Sequence, residues 1–319
     1  MQLNTEQIGF FRTNGYLLLP GVLDADLCAR AREEMWAALP PGSGLDENDA
    51  TTHVGPFSAE ERSTDPLQVR DGYRWLNRTL GISQTVIDLI YAESVCAMAD
   101  QLLGGELRQA VVGGSAMGSQ GSAWPGGPTD PVLGNDGARG VYFTLPYGDK
   151  PREADTCHTD GHPFQLGVVG LIDEIPEGGG AFKVWPRSHR RLYPTFELRY
   201  DQPRIPYYDH LPSFKGIVHT PEYLAEIDRL NQDTQAVECF GKAGDIVFWH
   251  HRTAHMAGHN YSNVIRQAVL ADFWKLELDA YRASPADGDM WRDWSAAVQN
   301  CDGGYSAEFA AAQRLSIEG

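Results

Sequence analysis

The chain has 319 residues, enough for one elaborated domain with a substantial core, and its 42% hydrophobic and 10% aromatic content is globular. A formal net charge of −17 repels phosphate backbones and anionic membrane surfaces, which argues against a nucleic-acid or membrane partner. Five scattered cysteines without a C-x-x-C pair, no bilayer-length apolar run and no signal-like amino terminus predict a reduced, cytoplasmic protein.

Glu6 to Arg12 reads as a short helix, Tyr16 to Leu19 as a strand, and Asp24 as the N-cap of a helix running to about Leu39, where Pro40-Pro41-Gly42 stops it. Residues 40 to 72 are polar and without periodicity, a loop that includes His53. Apolar positions at Val86, Ile87, Ile90, Val95, Met98 and Leu102 predict one helix from Ser83 to Leu103, ended by Gly104-Gly105 and backing a sheet. Leu107 to Val112 reads as a strand. The stretch 113 to 140 is irregular, being rich in Gly, Ser, Pro and Asn, and it contains Trp124, a candidate for either substrate contact or loop anchoring.

From there the strands come quickly: Val141 to Leu145, Leu166 to Ile172, Ala181 to Trp185, Ala236 to Phe240, Ile246 to His250 and Ile265 to Leu276. They are short, β-branched and aromatic, separated by Gly and Pro, with no alternating helices, which predicts an antiparallel sandwich or barrel. An insertion at about 193–234, with a helix from Pro221 to Leu230, interrupts them as a lid candidate. The tail, with Trp291, Trp294 and Phe309, reads as packing.

Chemistry concentrates in Asp155-Thr156-Cys157-His158-Thr159-Asp160-Gly161-His162. In extended backbone His158 and Asp160 point the same way, so an imidazole and a carboxylate can reach one metal ion. A third donor must come from elsewhere, and the stretch Gly244 to His255 offers His250, His251 and His255. Two histidines and one carboxylate with open positions form the facial triad of non-haem Fe(II) oxygenases. A chain with ten histidines holds about one H-x-D by chance, so the pair gains meaning from the residues C-terminal to it.

Those residues come in a set order: Gly178-Gly179-Gly180 leading to Pro186-Arg187-Ser188-His189, then the strand ending near His255, then Asn260, Ser262 and Arg266. This G-G-x-x-x-x-x-P-x-S-H segment and distal H-x-x-x-x-N-x-S-x-x-x-R, with Gly15 to Leu23 as an opening strand, resemble the phytanoyl-CoA dioxygenase-like family of Fe(II)/2-oxoglutarate-dependent oxygenases. The resemblance runs from about residue 6 to about residue 275. It implies a mainly β fold with flanking helices, a double-stranded β-helix (jelly roll, cupin-like). The expected layout is a single domain over 1–319 with a jelly-roll core at about 107–276 and helical flanks.

The same resemblance selects His255 as the third ligand beside His158 and Asp160, and implies Fe(II), 2-oxoglutarate, dioxygen and a small organic substrate that is hydroxylated. Arg266 is the expected anchor for the distal carboxylate of 2-oxoglutarate, since a guanidinium fork matches a carboxylate bidentately. Tyr142 and Thr144, on the strand before the metal pair, are the candidate donors to the other carboxylate. Ala257 stands where the family commonly has serine, which places one cosubstrate hydrogen bond in question.

Outside the triad, His162 is a candidate partner behind the ligands and His189 a structural hydrogen-bonder. Arg187, Arg190 and Arg191 form a basic cluster, either a solvated charge run or a site for an anion. Two other classes stay open on the residues: a non-catalytic jelly-roll binding protein that has lost its iron, and a zinc-dependent hydrolase using the same three ligands.

Overall fold

Ten short strands build two antiparallel sheets among the residues described by the computed structural model, 1–65, 67–117, 136–200 and 220–315. They are β1 (Tyr16–Leu19), β2 (Gln68–Asp71), β3 (Arg74–Asn77), β4 (Gly140–Thr144), β5 (Leu166–Leu171), β6 (Phe182–Val184), β7 (Val237–Glu238), β8 (Ile246–His250), β9 (His255–Ala257) and β10 (Arg266–Phe273). The larger sheet runs β1-β8-β5-β10-β4-β3-β2 and the smaller β7-β6-β9. The two meet where Phe182 of β6 packs 4.9 Å from Trp249 of β8. The antiparallel sheets are those the strand pattern predicts, and the whole is the mainly β, helix-flanked jelly roll that the family resemblance implies.

Register decides what faces the interior. Arg266 lies opposite Thr144, Ala268 opposite Tyr142, and Asp272 opposite Gly167, which in turn lies opposite Trp249. Side chains alternate along a strand, so Arg266, Ala268, Leu270, Asp272, Tyr142, Thr144 and Trp249 share the face turned toward β6 and β9. Gly167 is required there, because a Cβ at that position would collide with the Trp249 ring. The other face of β10 packs on helices, with Phe273 5.2 Å from Tyr91.

The helices follow their caps. Asn4 and Gln7 form a capping box on α1 (Thr5–Asn14), and Asp24 caps α2 (Ala25–Ala37) by accepting from the Leu27 amide. At the other end of the chain the Gln313 side chain accepts from the Leu18 amide at 2.7 Å and donates to the Leu18 carbonyl at 2.9 Å. Trp291 and Trp294 pack against each other and against Phe11.

Three expectations need correction. The helix expected over Ser83–Leu103 is two, α3 (Gln84–Ile90) and α4 (Glu93–Leu103), parted at Tyr91 and Ala92. The five-residue step from Ile90 to Val95 slips the helical phase, and the break absorbs it. The strand expected over Leu107–Val112 reduces to a single bridge between Leu107 and Lys275, while Val111 and Val112 are exposed and unpaired in any sheet. The stretch 40 to 72, read as loop, ends in β2, which pairs with β3 around Gly72 in the left-handed region. Residues 118–135 of the irregular stretch (with Trp124) and 201–219 of the lid candidate lie outside the described residues.

Candidate metal centre

His158 and His255 are fixed to each other by backbone before any metal is considered. Each amide donates to the other's carbonyl, at 3.0 and 2.9 Å, so the segment carrying the H-x-D pair extends the smaller sheet beside β9. The His255 Nδ1 lies 2.8 Å from the Thr253 carbonyl, which can only accept; Nδ1 therefore carries the proton and Nε2 presents its lone pair. His158, Asp160 and His255 each offer a ligand atom within 4.8 Å of the others.

Two brackets hold these segments. Ser188 accepts from the Ala254 amide at 2.8 Å while donating to the Trp185 carbonyl, and Trp185 donates to the Ala254 carbonyl at 2.9 Å. The Pro-x-Ser-His motif thus seats the start of β9, and its His189 faces the Arg12 carbonyl. On the other side, the helix Pro221–Asp233 braces the H-x-D segment. The Thr159 amide donates to the Tyr223 hydroxyl at 3.1 Å, the Thr159 hydroxyl pairs with it at 3.0 Å, and the Cys157 amide donates to Asn231 at 2.9 Å. This helix, expected as part of a lid, is a buttress with a buried Tyr223.

Behind the triad lies a buried charge network of which sequence reasoning named only His162. Arg139 donates to Asp160 Oδ2 at 2.6 Å and, through two further N–H groups, to both oxygens of Asp272 at 2.7 and 2.5 Å. His162 sits 2.8 Å from Asp272 and stacks on Phe164. Burial alone would raise the Asp160 carboxyl, but the Arg139 guanidinium holds it well below the usual carboxylate range. The signal was available in Asp272, a lone acid in an apolar strand at the same parity as Arg266. Such a group requires a buried partner.

Arg266 itself is buried and meets no acid or hydrogen-bond acceptor among the described residues. Burial, helped by the nearby charge of Arg74, pulls its guanidinium down to about 10. Tyr142 and Thr144 stand on the same face. Asn260 donates to the Thr144 and Val264 carbonyls and accepts from Ser262, so the Asn-x-Ser of the distal motif shapes the turn that enters β10.

The alternative third ligands are elsewhere. His250 accepts from the Arg252 amide and stacks on Trp294, and His251 lies against Tyr200, both in the core. Arg191 pairs with Glu226 and Asp233, Arg190 donates to the Arg12 carbonyl, and Arg187 reaches Asn14 and Tyr305, so this basic cluster ties elements together. His53 is bound to the Asp46 carbonyl beside Trp36.

A jelly roll that brings two imidazoles and a carboxylate together on its inner face, with an arginine unpaired among the described residues on a strand of the same barrel, is the architecture of a non-haem iron enzyme. The family assignment agrees with it. Residues 11–268 match phytanoyl-CoA dioxygenase (PhyH), and the chain belongs to that family of Fe(II)/2-oxoglutarate-dependent oxygenases. The carbocyclase SnoK from nogalamycin biosynthesis shares the fold, at 17% identity over 90% of this chain and 95% of SnoK with a TM-score of 0.51. The epimerase SnoN is similar at 18% identity (84% and 82% covered, TM-score 0.47), as is EctD from S. alaskensis at 18% (86% and 77%, 0.48). No curated protein matches the sequence. No helix among the described residues is long and apolar enough to cross a membrane.

Proposed function

We propose that this chain is an Fe(II)- and 2-oxoglutarate-dependent dioxygenase that hydroxylates a small organic molecule. The observation that carries the reading is Arg266: a buried guanidinium with no anion among the described residues, on the inward face shared with the residues around the triad. Burying an unpaired charge costs several kcal/mol, and an arriving carboxylate offsets that cost.

The donor set fits ferrous iron, being two imidazole nitrogens and a carboxylate oxygen with no thiolate. Cys157, next to His158 in sequence, packs into a separate apolar cluster, and burial pushes its thiol up to about 12. Bound iron with 2-oxoglutarate and dioxygen supplies the oxidation of a substrate C–H bond, with succinate and carbon dioxide as coproducts.

The protein's own part is placement. His158, Asp160 and His255 would hold the metal, the Arg266 fork would take the distal carboxylate of 2-oxoglutarate, and Thr144 and Tyr142 flank that path. Trp249 and Phe182 wall the interior against water.

Anaerobic titration with Fe(II) and then 2-oxoglutarate tests this. A visible charge-transfer band from the chelate is expected, followed by substrate-dependent succinate release and a product heavier by one oxygen atom. Metal binding without the band would favour a hydrolytic metal site, and no metal binding at all would favour a binding protein.

A further inference from the structure

We infer that Arg139 is a positioning residue that holds Asp160 by one carboxylate oxygen, so that the other oxygen alone meets the metal. The inference rests on the assignment of His158, Asp160 and His255 as ligands.

Arg139 is 4% exposed, and each arm of its guanidinium is engaged. One N–H goes to Asp160 Oδ2 at 2.6 Å, and two others go to Asp272 at 2.7 and 2.5 Å. Asp272 is itself buried and held by His162. The rings of Phe164 and Trp249 lie 4.8 and 5.5 Å from the guanidinium carbon, so the side chain is clamped on its faces as well as its edges. The Asp160 oxygens are therefore unequal. Oδ2 accepts the Arg139 hydrogen bond and also lies 3.4 Å from His255 Nε2, whereas Oδ1 lies 3.9 Å from His158 Nε2.

The consequence is stoichiometric. An octahedral ion with two imidazoles and a carboxylate bound through one oxygen keeps three positions open; a carboxylate bound through both leaves two. A chelating 2-oxo acid would fill those two, and dioxygen would have none. By occupying Oδ2, Arg139 prevents the second mode.

The test is titration of the metal-free chain with Co(II), read by visible absorption, for wild type, Arg139→Met and Arg139→Lys, with circular dichroism as the check on folding. Arg139→Met should bind Co(II) about ten- to hundred-fold more weakly, with a changed band shape as the carboxylate binds through both oxygens. Arg139→Lys should recover part of the affinity, because it keeps the charge but cannot bridge both acids. If Arg139→Met does not fold, Asp272→Asn reads the same property, since Arg139 then keeps its charge and loses half its tether; a smaller loss with the same spectral change is expected. A folded variant with wild-type affinity and spectrum overturns the inference. A wild-type chain that binds no Co(II) overturns the ligand assignment instead, so the two failures are distinguishable.

Discussion

Arg266, which opens β10, and Arg139, just before β4, are both buried guanidiniums, yet among the described residues Arg139 is saturated with carboxylates and Arg266 has none. That contrast sets what each should do when removed. Charge-assisted hydrogen bonds contribute roughly 1.5 to 3 kcal/mol, and leaving a desolvated carboxylate unpaired costs roughly 2 to 5 kcal/mol. Arg266→Ala should therefore weaken 2-oxoglutarate binding by about ten-fold to a few thousand-fold, at about 1.4 kcal/mol per factor of ten, while Fe(II) affinity stays as in wild type. Arg266→Lys should fall between, keeping charge but losing the fork. Parallel loss of both affinities would make Arg266 a structural residue. Because a guanidinium near 10 stays protonated below that pH, 2-oxoglutarate affinity should hold through neutrality and fall as pH rises past about 10. The ligand candidates were legible because an imidazole and a carboxylate two positions apart constrain geometry locally. The pairing of Arg139 with Asp272 was not, since they are 133 positions apart and no spacing rule joins them.

Among the elements, the strands that line the site were readable because both of their faces are buried, which favours short, mostly apolar runs, as in β5 and in Ala268 to Ala271 of β10. The β2–β3 hairpin was not, because it sits at one end of the sheet, half exposed, and its Gln68, Arg70, Asp71 and Arg74 look like loop. The helix Pro221–Asp233 could be read as a helix, but its role depends on a contact across the fold: Tyr223 presents one hydroxyl to both the amide and the side chain of Thr159. Tyr223→Phe leaves those buried groups without that partner and should destabilise the chain by about 1 to 3 kcal/mol. Since Thr159 stands between His158 and Asp160, Fe(II) affinity should drop as well. Urea unfolding and metal titration of the variant check both, and wild-type values in each would show that the helix does not brace the ligand segment.

At the scale of the whole molecule, stability should depend on keeping three core imidazoles uncharged. Burial drives His189 down to about 3 and His250 and His251 well below the ordinary histidine value. The unfolded chain takes up protons at these groups near pH 6.5 while the folded chain does not, so their contribution is complete above about 6.5 and is lost as pH falls. Each should remove about 1.4 kcal/mol per pH unit across that window. Denaturant midpoints from pH 8 down to pH 4 should show this decline, and a flat profile would mean the imidazoles gain protons without unfolding. The Gln313 amide, which occupies both the N–H and the C=O of Leu18, bears on a different hazard. β1 closes one end of the larger sheet, and a terminal strand with free backbone groups is a template for strand addition from another molecule. One side chain stands in for the missing neighbour. Gln313→Ala should expose that template and produce concentration-dependent self-association by light scattering, while a variant that stays at wild-type mass at every concentration would show that the rest of the tail is cover enough.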